Sequence, residues 1–277
     1  MKKILVLGAS GFIGNYCFSK LRKDSNFSVF GTYSSNRKDY LVHLDYTQSK
    51  DFIDLLGTIK PNIIIWTAGI KNIPMLESNH SLAEKYNFLP IKSLVDYQNK
   101  NEHRIQLIFI SSDYVFDGKK GEYTTNDQSN PDTIYGKSKS ASEKYLMTHS
   151  TFFTILRVGA VIGKGSSFWD WLTGQLKSSR DIELYDDVFS PTPINILFKA
   201  IRKSIEFKLK GLYHISGGRG VSRYELGNLI LNSSNLKANL IKTNRTNNNI
   251  INRSLVRSEV FNELDTLDDF INNFKYD

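Results

Sequence analysis

The chain has 277 residues, a length that fits one large domain or two small ones. Its 40% hydrophobic and 23% charged residues are typical of a folded protein and exclude a disordered one. The net charge of +8 favours anionic partners such as phosphates. Because the lysines and arginines are scattered rather than concentrated, we expect no nucleic-acid partner.

The cysteine and histidine content and the short apolar runs exclude further classes of protein. The single cysteine, Cys17, allows no internal disulfide and suits a reducing cytoplasm, where we place the protein. Its position just after a glycine-rich turn favours helix packing over a nucleophilic role. The five histidines show no metal-ligand spacing, so no metal is expected. The apolar runs are too short to span a bilayer, so no membrane partner is expected.

Short apolar runs alternate with longer polar or amphipathic stretches along the first 165 residues. The runs are Ile4–Leu7, Phe27–Tyr33, Asn62–Trp66, Ile105–Ile110 and Phe152–Val158. A spacing of roughly 25 to 45 residues leaves room for a crossover helix between successive strands. The strands are apolar at successive positions, as expected where helices cover both faces of a sheet. The pattern predicts an α/β protein with a Rossmann-type, doubly wound parallel sheet.

This alternation fades after about residue 165. Helices are predicted around Ser167–Leu176, Pro193–Phe207 and Ser222–Leu231, a strand at Gly211–Ile215, and an asparagine-rich loop at Asn244–Asn249. We therefore expect a larger domain over residues 1–165. A smaller region over residues 166–277 would come after it, and some of its segments would return to the first sheet.

A glycine-rich turn joins the first strand to the first helix, which continues to Leu21. Glycine lets the backbone approach a pyrophosphate closely, and the helix N-terminus supplies free N–H donors. The spacing is Gly-x-x-Gly-x-x-Gly rather than the commoner Gly-x-Gly-x-x-Gly, and plain turn chemistry is the alternative. The position of the glycine-rich turn between a strand and a helix favours a dinucleotide-binding site. The predicted cofactor contacts of this turn are Gly8, Ser10, Gly11 and Gly14.

The end of the second strand, near Tyr33, lacks the acidic residue that usually meets the adenosine ribose. Small polar and cationic residues come next instead, and among them Ser34 and Arg37 suit a 2′-phosphate. These residue types favour NADP as the cofactor, with NAD as the alternative. A plain solvated loop that binds no phosphate is the alternative interpretation of the segment. Asp45, after a third strand, would either accept a bond from the adenine amino group or cap a helix.

A serine and a Tyr-x-x-x-Lys pair form the candidate catalytic group. Ser112 comes after the apolar run Ile105–Ile110, at the strand end where parallel sheets present catalytic groups. Tyr135 and Lys139 are four residues apart and share one face of a helix. A neighbouring ammonium lowers the pKa of a phenol towards the working range of an acid–base catalyst. The alternative is that the pair lines an exposed helix face.

These motifs together resemble the extended short-chain dehydrogenase/reductase family. The segments that carry the resemblance are Gly8–Gly14, Trp66–Gly69, Ser111–Gly118 and Tyr135–Lys139. Within the family, the branch of dTDP-4-dehydrorhamnose reductases is similar over Ser111–Gly118, Ser190–Thr192 and Gly211–Gly217. The resemblance implies a Rossmann domain that binds NADP or NAD, and a C-terminal part that holds a nucleotide sugar.

This resemblance implies site residues by position. It implies a catalytic trio of Ser112, Tyr135 and Lys139, with the tyrosine and lysine also beside the cofactor. Asn87 matches an asparagine that supports the lysine in many members, with helix packing as the alternative. Further implied cofactor contacts are Gly11, Phe12 and Ile13 against the pyrophosphate, Asp45 and Tyr46 near adenine, and Thr67, Ala68 and Gly69. Implied substrate contacts are Ser112, Asp113, Phe168, Pro191 and Thr192, although the last two also suit a stiff interdomain connection.

The two residues after Ser112 narrow the choice of reaction. Dehydratases of this family carry an Asp-Glu pair there, whereas in this chain Asp113 precedes Tyr114. Ser112 itself stands where rhamnose reductases often carry threonine, and Trp66–Gly69 replaces their usual Asn-Ala-Ala type segment. We expect a reductase of a nucleotide-activated 4-keto-deoxysugar, and the sequence allows a homodimer. The alternatives are an NAD-dependent nucleotide-sugar epimerase and a non-catalytic Rossmann-fold regulatory subunit.

Overall fold

The computed structural model describes residues 1–101, 104–178, 181–244 and 250–275. Contacts divide the chain into two compact units that alternate along the sequence. The first unit consists of Met1–Phe116, Ser129–Arg157 and Ile201–Leu212, and the second of Asp117–Gln128, Val158–Ala200 and Tyr213–Asp277. A domain boundary near residue 165 stays a prediction.

The strands account for the predicted apolar runs. In chain order they are β1 (Lys2–Leu7), β2 (Phe27–Tyr33), β3 (Val42–His43), β4 (Ile63–Trp66), β5 (Gln106–Ser112), β6 (Phe153–Val158), β7 (Val161–Ile162), β8 (Asp181–Tyr185), β9 (Val188–Phe189), β10 (Thr192–Pro193), β11 (Gly211–Ile215), β12 (Val221–Ser222) and β13 (Asn239–Thr243). All five predicted runs and the predicted strand at Gly211–Ile215 are confirmed.

The helices also match the predicted positions. They are α1 (Phe12–Leu21), α2 (Ser49–Ile59), α3 (Ile73–Ser78), α4 (His80–Ala83), α5 (Leu89–Lys100), α6 (Ile134–His149), α7 (Ser167–Lys177), α8 (Ile194–Glu206), α9 (Arg223–Asn232) and α10 (Leu267–Asn273). A π-helical segment, Glu84–Phe88, joins α4 to α5, and a 3₁₀ turn, Asp113–Val115, comes after β5. Of the predicted loop Asn244–Asn249, all but Asn244 lies outside the described residues.

The central sheet has seven parallel strands in the order β11-β6-β5-β4-β1-β2-β3, which confirms the predicted Rossmann-type fold. β1 pairs with β2 on one side and with β4 on the other, so the strand order reverses between β1 and β4. Leu7 and Trp66, the last residues of β1 and β4, are paired. The glycine turn and the segment after Trp66 therefore adjoin at the switch point where doubly wound sheets bind ligands.

Helices of the first unit cover the sheet. Consecutive residues of β4 are all buried, so neither face of that strand meets water. One core cluster joins Ile64 and Phe109 of the sheet to Phe52 of α2 and Leu94 of α5. Cys17 is fully buried in α1, and this burial raises the pKa of its thiol to about 12. Such a thiol packs as a small apolar group, in agreement with the predicted role.

The second unit has its own core. Its short strands pair as β10 with β7, β12 with β9 and β13 with β8. In β8 only Ile182 and Leu184 are buried, the alternation of a strand with one face on a core. The side chain of Ser222 begins α9 with a capping box to Glu225. Among the described residues, no helix combines the length and apolar character that crossing a membrane requires.

Candidate active site

The turn after β1 is built from glycines because its backbone is crowded. Gly8 has φ +82°, and a Cβ there would lie 2.9 Å from the Ala68 nitrogen. A Cβ on Gly14 would lie 2.2 Å from the Gly8 carbonyl oxygen. Gly11, the exposed N-cap of α1, donates its N–H to the same oxygen at 3.0 Å. The turn therefore holds the start of α1 close to the sheet and presents bare backbone at the helix N-terminus.

The loop after β2 lies against this turn. Asn36 Nδ2 donates to the Ser10 carbonyl oxygen at 3.4 Å. Ser34 and Arg37 are exposed, and Arg37 Nε lies 3.2 Å from Asp39 Oδ1. Because exposed ion pairs are weak, the guanidinium is free to exchange this partner for a phosphate. Asp39 is a feature of this loop that the sequence reasoning missed.

Asp45 does not cap a helix, so that alternative is wrong. The N-cap of α2 is Gln48, whereas Asp45 Oδ1 accepts bonds from Thr47 N at 3.0 Å and Thr47 Oγ1 at 2.7 Å. The bond from the Thr47 hydroxyl is the main cause that lowers the pKa of Asp45. Tyr46 is buried edge-on against Trp66, and burial raises the pKa of its phenol.

The segment after β4 is anchored to its neighbours. Thr67 Oγ1 donates to the Leu7 carbonyl oxygen at 2.7 Å, and Trp66 Nε1 donates to the Ala68 oxygen at 3.0 Å. Gly69 has φ +144°, and a Cβ there would lie 2.7 Å from Asn87 Oδ1. Thr67 and Ala68 therefore lie beside the glycine turn, and Gly69 lies beside Asn87.

Asn87, in the π-helical segment, connects this region to α6. Its Oδ1 accepts from Ile70 N at 2.9 Å, and its Nδ2 donates to the Ile70 oxygen at 3.0 Å. Nδ2 also donates to Ser138 Oγ at 3.1 Å. Because Ser138 directly precedes Lys139, the amide helps to position the helix that carries the lysine.

The end of β5 presents Ser112 and Asp113, both buried. Ser112 Oγ accepts from Tyr114 N at 3.3 Å and thereby caps the 3₁₀ turn. The same hydroxyl lies 3.0 Å from Asp113 Oδ1, to which it donates. These bonds fix the serine side chain at the carboxyl end of the strand.

Helix α6 brings Tyr135 to Ser112. Burial raises the pKa of the Tyr135 phenol, and a hydrogen bond with the Ser112 side chain opposes this rise. Gly136 permits the approach, since a Cβ there would lie 2.0 Å from the Tyr114 carbonyl oxygen. Gly136 N donates to the Thr133 side chain, which caps the helix. The sequence reasoning did not recognise the contribution of Gly136.

Lys139, one helical turn after Tyr135 on α6, contacts strand β5. Its Nζ donates to the Ile110 carbonyl oxygen at 2.7 Å and lies 4.1 Å from the centre of the Phe109 ring. Burial lowers the pKa of the lysine to about 8, although the charge of Glu143 opposes the fall. Only 7% of Lys139 is exposed, so the alternative of an exposed helix face is wrong for this residue. The structure therefore brings Ser112, Tyr135 and Lys139 together at the end of β5.

The other predicted substrate residues belong to the second unit. Phe168 packs against Phe189 at 5.8 Å between ring centres, with the Arg223 guanidinium 5.8 Å from the same ring. Pro191 is buried, and its carbonyl oxygen accepts from Gly217 N at 2.8 Å. Thr192 is fully buried in β10, and its hydroxyl donates to the Ile215 oxygen at 3.1 Å. Their contacts with substrate stay predictions.

Two charged residues beside the trio also escaped the sequence reasoning. Glu143 and Arg157 are buried and form an ion pair at 2.6 Å. Two signals were present: Glu143 lies one turn after Lys139, and Arg157 interrupts an apolar strand. Within the described ranges, no group of three or more His, Cys, Asp or Glu side chains is placed to hold a metal ion.

Comparison with known proteins gives the family. The family model described as RmlD substrate binding domain matches residues 1–255. The chain belongs to this family. It is 31% identical over 235 residues to a dTDP-4-dehydrorhamnose reductase of Aggregatibacter actinomycetemcomitans, covering 81% of this chain and 76% of the relative. It is 24% identical over 247 residues to methionine adenosyltransferase 2 subunit beta of Danio rerio, covering 85% of this chain and 75% of that protein.

A solved structure has the same fold. The crystal structure of dTDP-4-dehydrorhamnose reductase from Bacillus anthracis in complex with NADP has a TM-score of 0.87 and 23% identity. The match covers 99% of this chain and 98% of that one. The predicted family resemblance and the predicted fold are both confirmed.

Proposed function

We propose that this protein uses NADPH to reduce the 4-keto group of a nucleotide-activated deoxysugar. The observation that carries the proposal is the meeting of Ser112, Tyr135 and Lys139 at the end of β5. A hydroxyl, a phenol and a buried amine in that arrangement suit acid–base chemistry on a carbonyl oxygen. The similarity to a reductase of a 4-keto sugar nucleotide supports the substrate class.

The residues at the switch point suit a dinucleotide. Gly11 has open space beyond its contact with Gly8, so the backbone N–H groups at the start of α1 are accessible to a pyrophosphate. The remaining predicted contacts would then hold the adenosine and nicotinamide ends, with Ser34 and Arg37 at a 2′-phosphate. These two residues favour NADP over NAD. The reduced nicotinamide, when bound, supplies the hydride.

Each catalytic residue has a separate task. Tyr135 donates its phenolic proton to the C4 oxygen of the sugar as hydride reaches the C4 carbon, so the ketone becomes a hydroxyl. The Lys139 ammonium stabilises the phenolate that remains. Ser112, hydrogen-bonded to the phenol, orients the carbonyl oxygen. Asp113, Phe168, Pro191 and Thr192 are the proposed remaining substrate contacts.

A regulatory subunit is the second candidate, because the chain also resembles a protein named as the beta subunit of methionine adenosyltransferase 2. An NAD-dependent epimerase would use the same trio, but it does not consume NADPH. Loss of NADPH absorbance in the presence of a 4-keto nucleotide sugar separates the reductase from both. The sequence allows a homodimer, and the cytoplasm remains the location that we expect.

Substitution of the trio tests the mechanism. Tyr135→Phe should lower turnover by about 10²–10⁴-fold, the usual value of general acid catalysis, while NADPH still binds. Lys139→Met should lose turnover and also bind the cofactor more weakly, whereas Ser112→Ala should cost less than Tyr135→Phe. A Tyr135→Phe protein that reduces the sugar at the wild-type rate would contradict the proposal.

A further inference from the structure

Buried charge is concentrated in one part of the first unit. Among the described residues of that unit, the buried charged side chains are Asp113, Lys139, Glu143 and Arg157. Charges are costly to bury, and they persist where pairing or chemistry requires them. Asp113 and Lys139 belong to the proposed active site. Glu143 and Arg157 therefore require an explanation of their own.

The carboxylate of Glu143 connects helix α6 to two strands of the central sheet. It accepts from Arg157 Nε at 3.0 and 3.1 Å, and from Arg157 Nη2 at 2.6 Å. It also accepts a hydrogen bond from Ser111 Oγ. Glu143 lies on α6, Arg157 on β6 and Ser111 on β5, so one side chain ties the helix to two adjacent strands.

The tied elements are those that carry the catalytic trio. Ser111 directly precedes Ser112, and Glu143 lies one helical turn beyond Lys139. The Arg157 guanidinium also lies 5.0 Å from the centre of the Phe116 ring, just after the 3₁₀ turn. A shift of α6 along β5 would break these bonds and would separate the phenol and the amine from Ser112.

We propose that Glu143 and Arg157 are positioning residues for the reduction, which hold α6 in register with β5 and fix a carboxylate one helical turn from Lys139. The inference rests on the proposed function, because it assigns a purpose to the geometry of the trio. Arg157 orients the carboxylate through two of its nitrogens, as a bidentate partner does. Glu143 in turn acts on Lys139 and, through Ser111, on Ser112.

Electrostatics supports this role. Burial lowers the pKa of Lys139, and the negative charge of Glu143 opposes that effect. The other buried charges on neighbouring elements are Asp113 after β5 and Arg157 on β6. The elements packed against α6 also carry titratable side chains that are exposed or half-buried, and water screens them: Glu77, His80, Glu84, Lys85, Tyr86, Lys92, Asp96, Tyr97, Lys100 and Tyr114. Removal of the Glu143 charge should therefore deprotonate Lys139 at lower pH.

Glu143→Gln tests the pair, since the amide keeps the size and much of the hydrogen bonding of the carboxylate but not its charge. Turnover with NADPH should fall about fivefold at pH 8 and hardly at all at pH 6, because the alkaline limb of the profile moves down by about one pH unit from its wild-type position near pH 8. The double variant Glu143→Gln/Arg157→Met leaves no buried unpaired charge, and it should show a smaller shift in the same direction. It also serves if the single variant fails to fold.

A second measurement is independent of the substrate and the cofactor. The free energy of unfolding is measured against pH for the wild type, for Glu143→Gln and for the double variant, each with and without the further substitution Lys139→Met. For each protein, the difference between the two curves reports the titration of Lys139. The matched control is Asp96→Asn, which removes a carboxylate from an exposed pair with Lys92 on α5 and should change neither profile. If no sugar is reduced by the wild type, the proposed function fails, but this measurement still decides the role of the pair.

The two roles predict different results. A purely structural pair would lower the melting temperature and reduce turnover by the same factor at every pH. The proposal is overturned if Glu143→Gln and the double variant keep the wild-type alkaline limb and the wild-type titration of Lys139. A downward shift of both, with Asp96→Asn unchanged, supports it.

Discussion

Replacement of Gly136 by alanine should disturb the catalytic trio without touching any of its members. The new Cβ would lie 2.0 Å from the Tyr114 carbonyl oxygen and 2.9 Å from Pro131 Cβ. Carbon and oxygen atoms that are not bonded approach to roughly 3.3 Å, so the backbone of α6 must move away by about 1 Å. The obstacle is a main-chain oxygen in a capped turn, which cannot swing aside as a side chain would.

This displacement has separate costs for activity and for stability. A misplacement of about 1 Å at catalytic groups costs on the order of 10²-fold, so turnover should fall by that factor as Tyr135 leaves Ser112. Overpacking costs about 1–3 kcal/mol, and the better helix propensity of alanine returns up to about 1 kcal/mol. We therefore expect a loss of about 1–2 kcal/mol in the free energy of unfolding, which leaves the protein folded.

Turnover is measured by NADPH consumption, and stability by chemical denaturation. Gly57→Ala in α2 is the matched control, because a Cβ at Gly57 meets no atom within 4 Å. It should raise the unfolding free energy by about 0.5–1 kcal/mol and leave turnover unchanged. A Gly136→Ala protein with wild-type turnover and stability would refute the argument that this close approach sets the position of Tyr135.

Three further predictions concern other parts of the chain. Arg37→Ala should weaken NADPH binding about tenfold, the scale of one charge-assisted hydrogen bond, and leave NADH binding unchanged; equal losses in fluorescence titrations would argue against a 2′-phosphate site. Thr192→Val removes a buried hydroxyl that donates to the Ile215 oxygen, so chemical denaturation should show a loss of about 1–2 kcal/mol, and an unchanged midpoint would mean the bond contributes nothing. Because the pKa of Lys139 falls from 10.5 to about 8 on folding, the unfolded chain binds the extra proton between these values. As the pH rises across that range, the free energy of unfolding should therefore increase by roughly 3 kcal/mol relative to Lys139→Met. This contribution is lost as the pH falls back through about 8, and parallel pH–stability curves for the two proteins would show that Lys139 is not desolvated.

Local patterns were sufficient to predict most of the fold. The apolar runs that became β1, β2, β4, β5 and β6 are each continuous in sequence, and their spacing leaves room for the helices. The glycine turn was also predictable, because strand, glycines and helix succeed one another within a few residues. The prediction of Tyr135 and Lys139 on one helix face likewise needed only helical periodicity.

Other features of the site could not be predicted in this way. Whether Asp45 capped a helix depended on where α2 begins, and Thr47 rather than an N-terminal N–H is its partner. Thr192 was predicted as a substrate contact, yet its full burial results from the packing of β10 and the bond to Ile215, which is distant in sequence. Both outcomes depend on neighbours that no local pattern identifies.

Sequence alone was enough for the α/β class, the glycine turn and the residue types of the trio, because each is encoded by periodicity or by adjacent residues. The packing of the folded chain was needed to show that Glu143 meets both Ser111 and Arg157, and that Gly136 rests on Tyr114. These pairs are separated along the chain and come together only when α6 packs on the sheet. The effect of these contacts on stability and on the site depends on how deeply they are buried. Burial makes the charge of Glu143 and the missing side chain of Gly136 important for the geometry of the site.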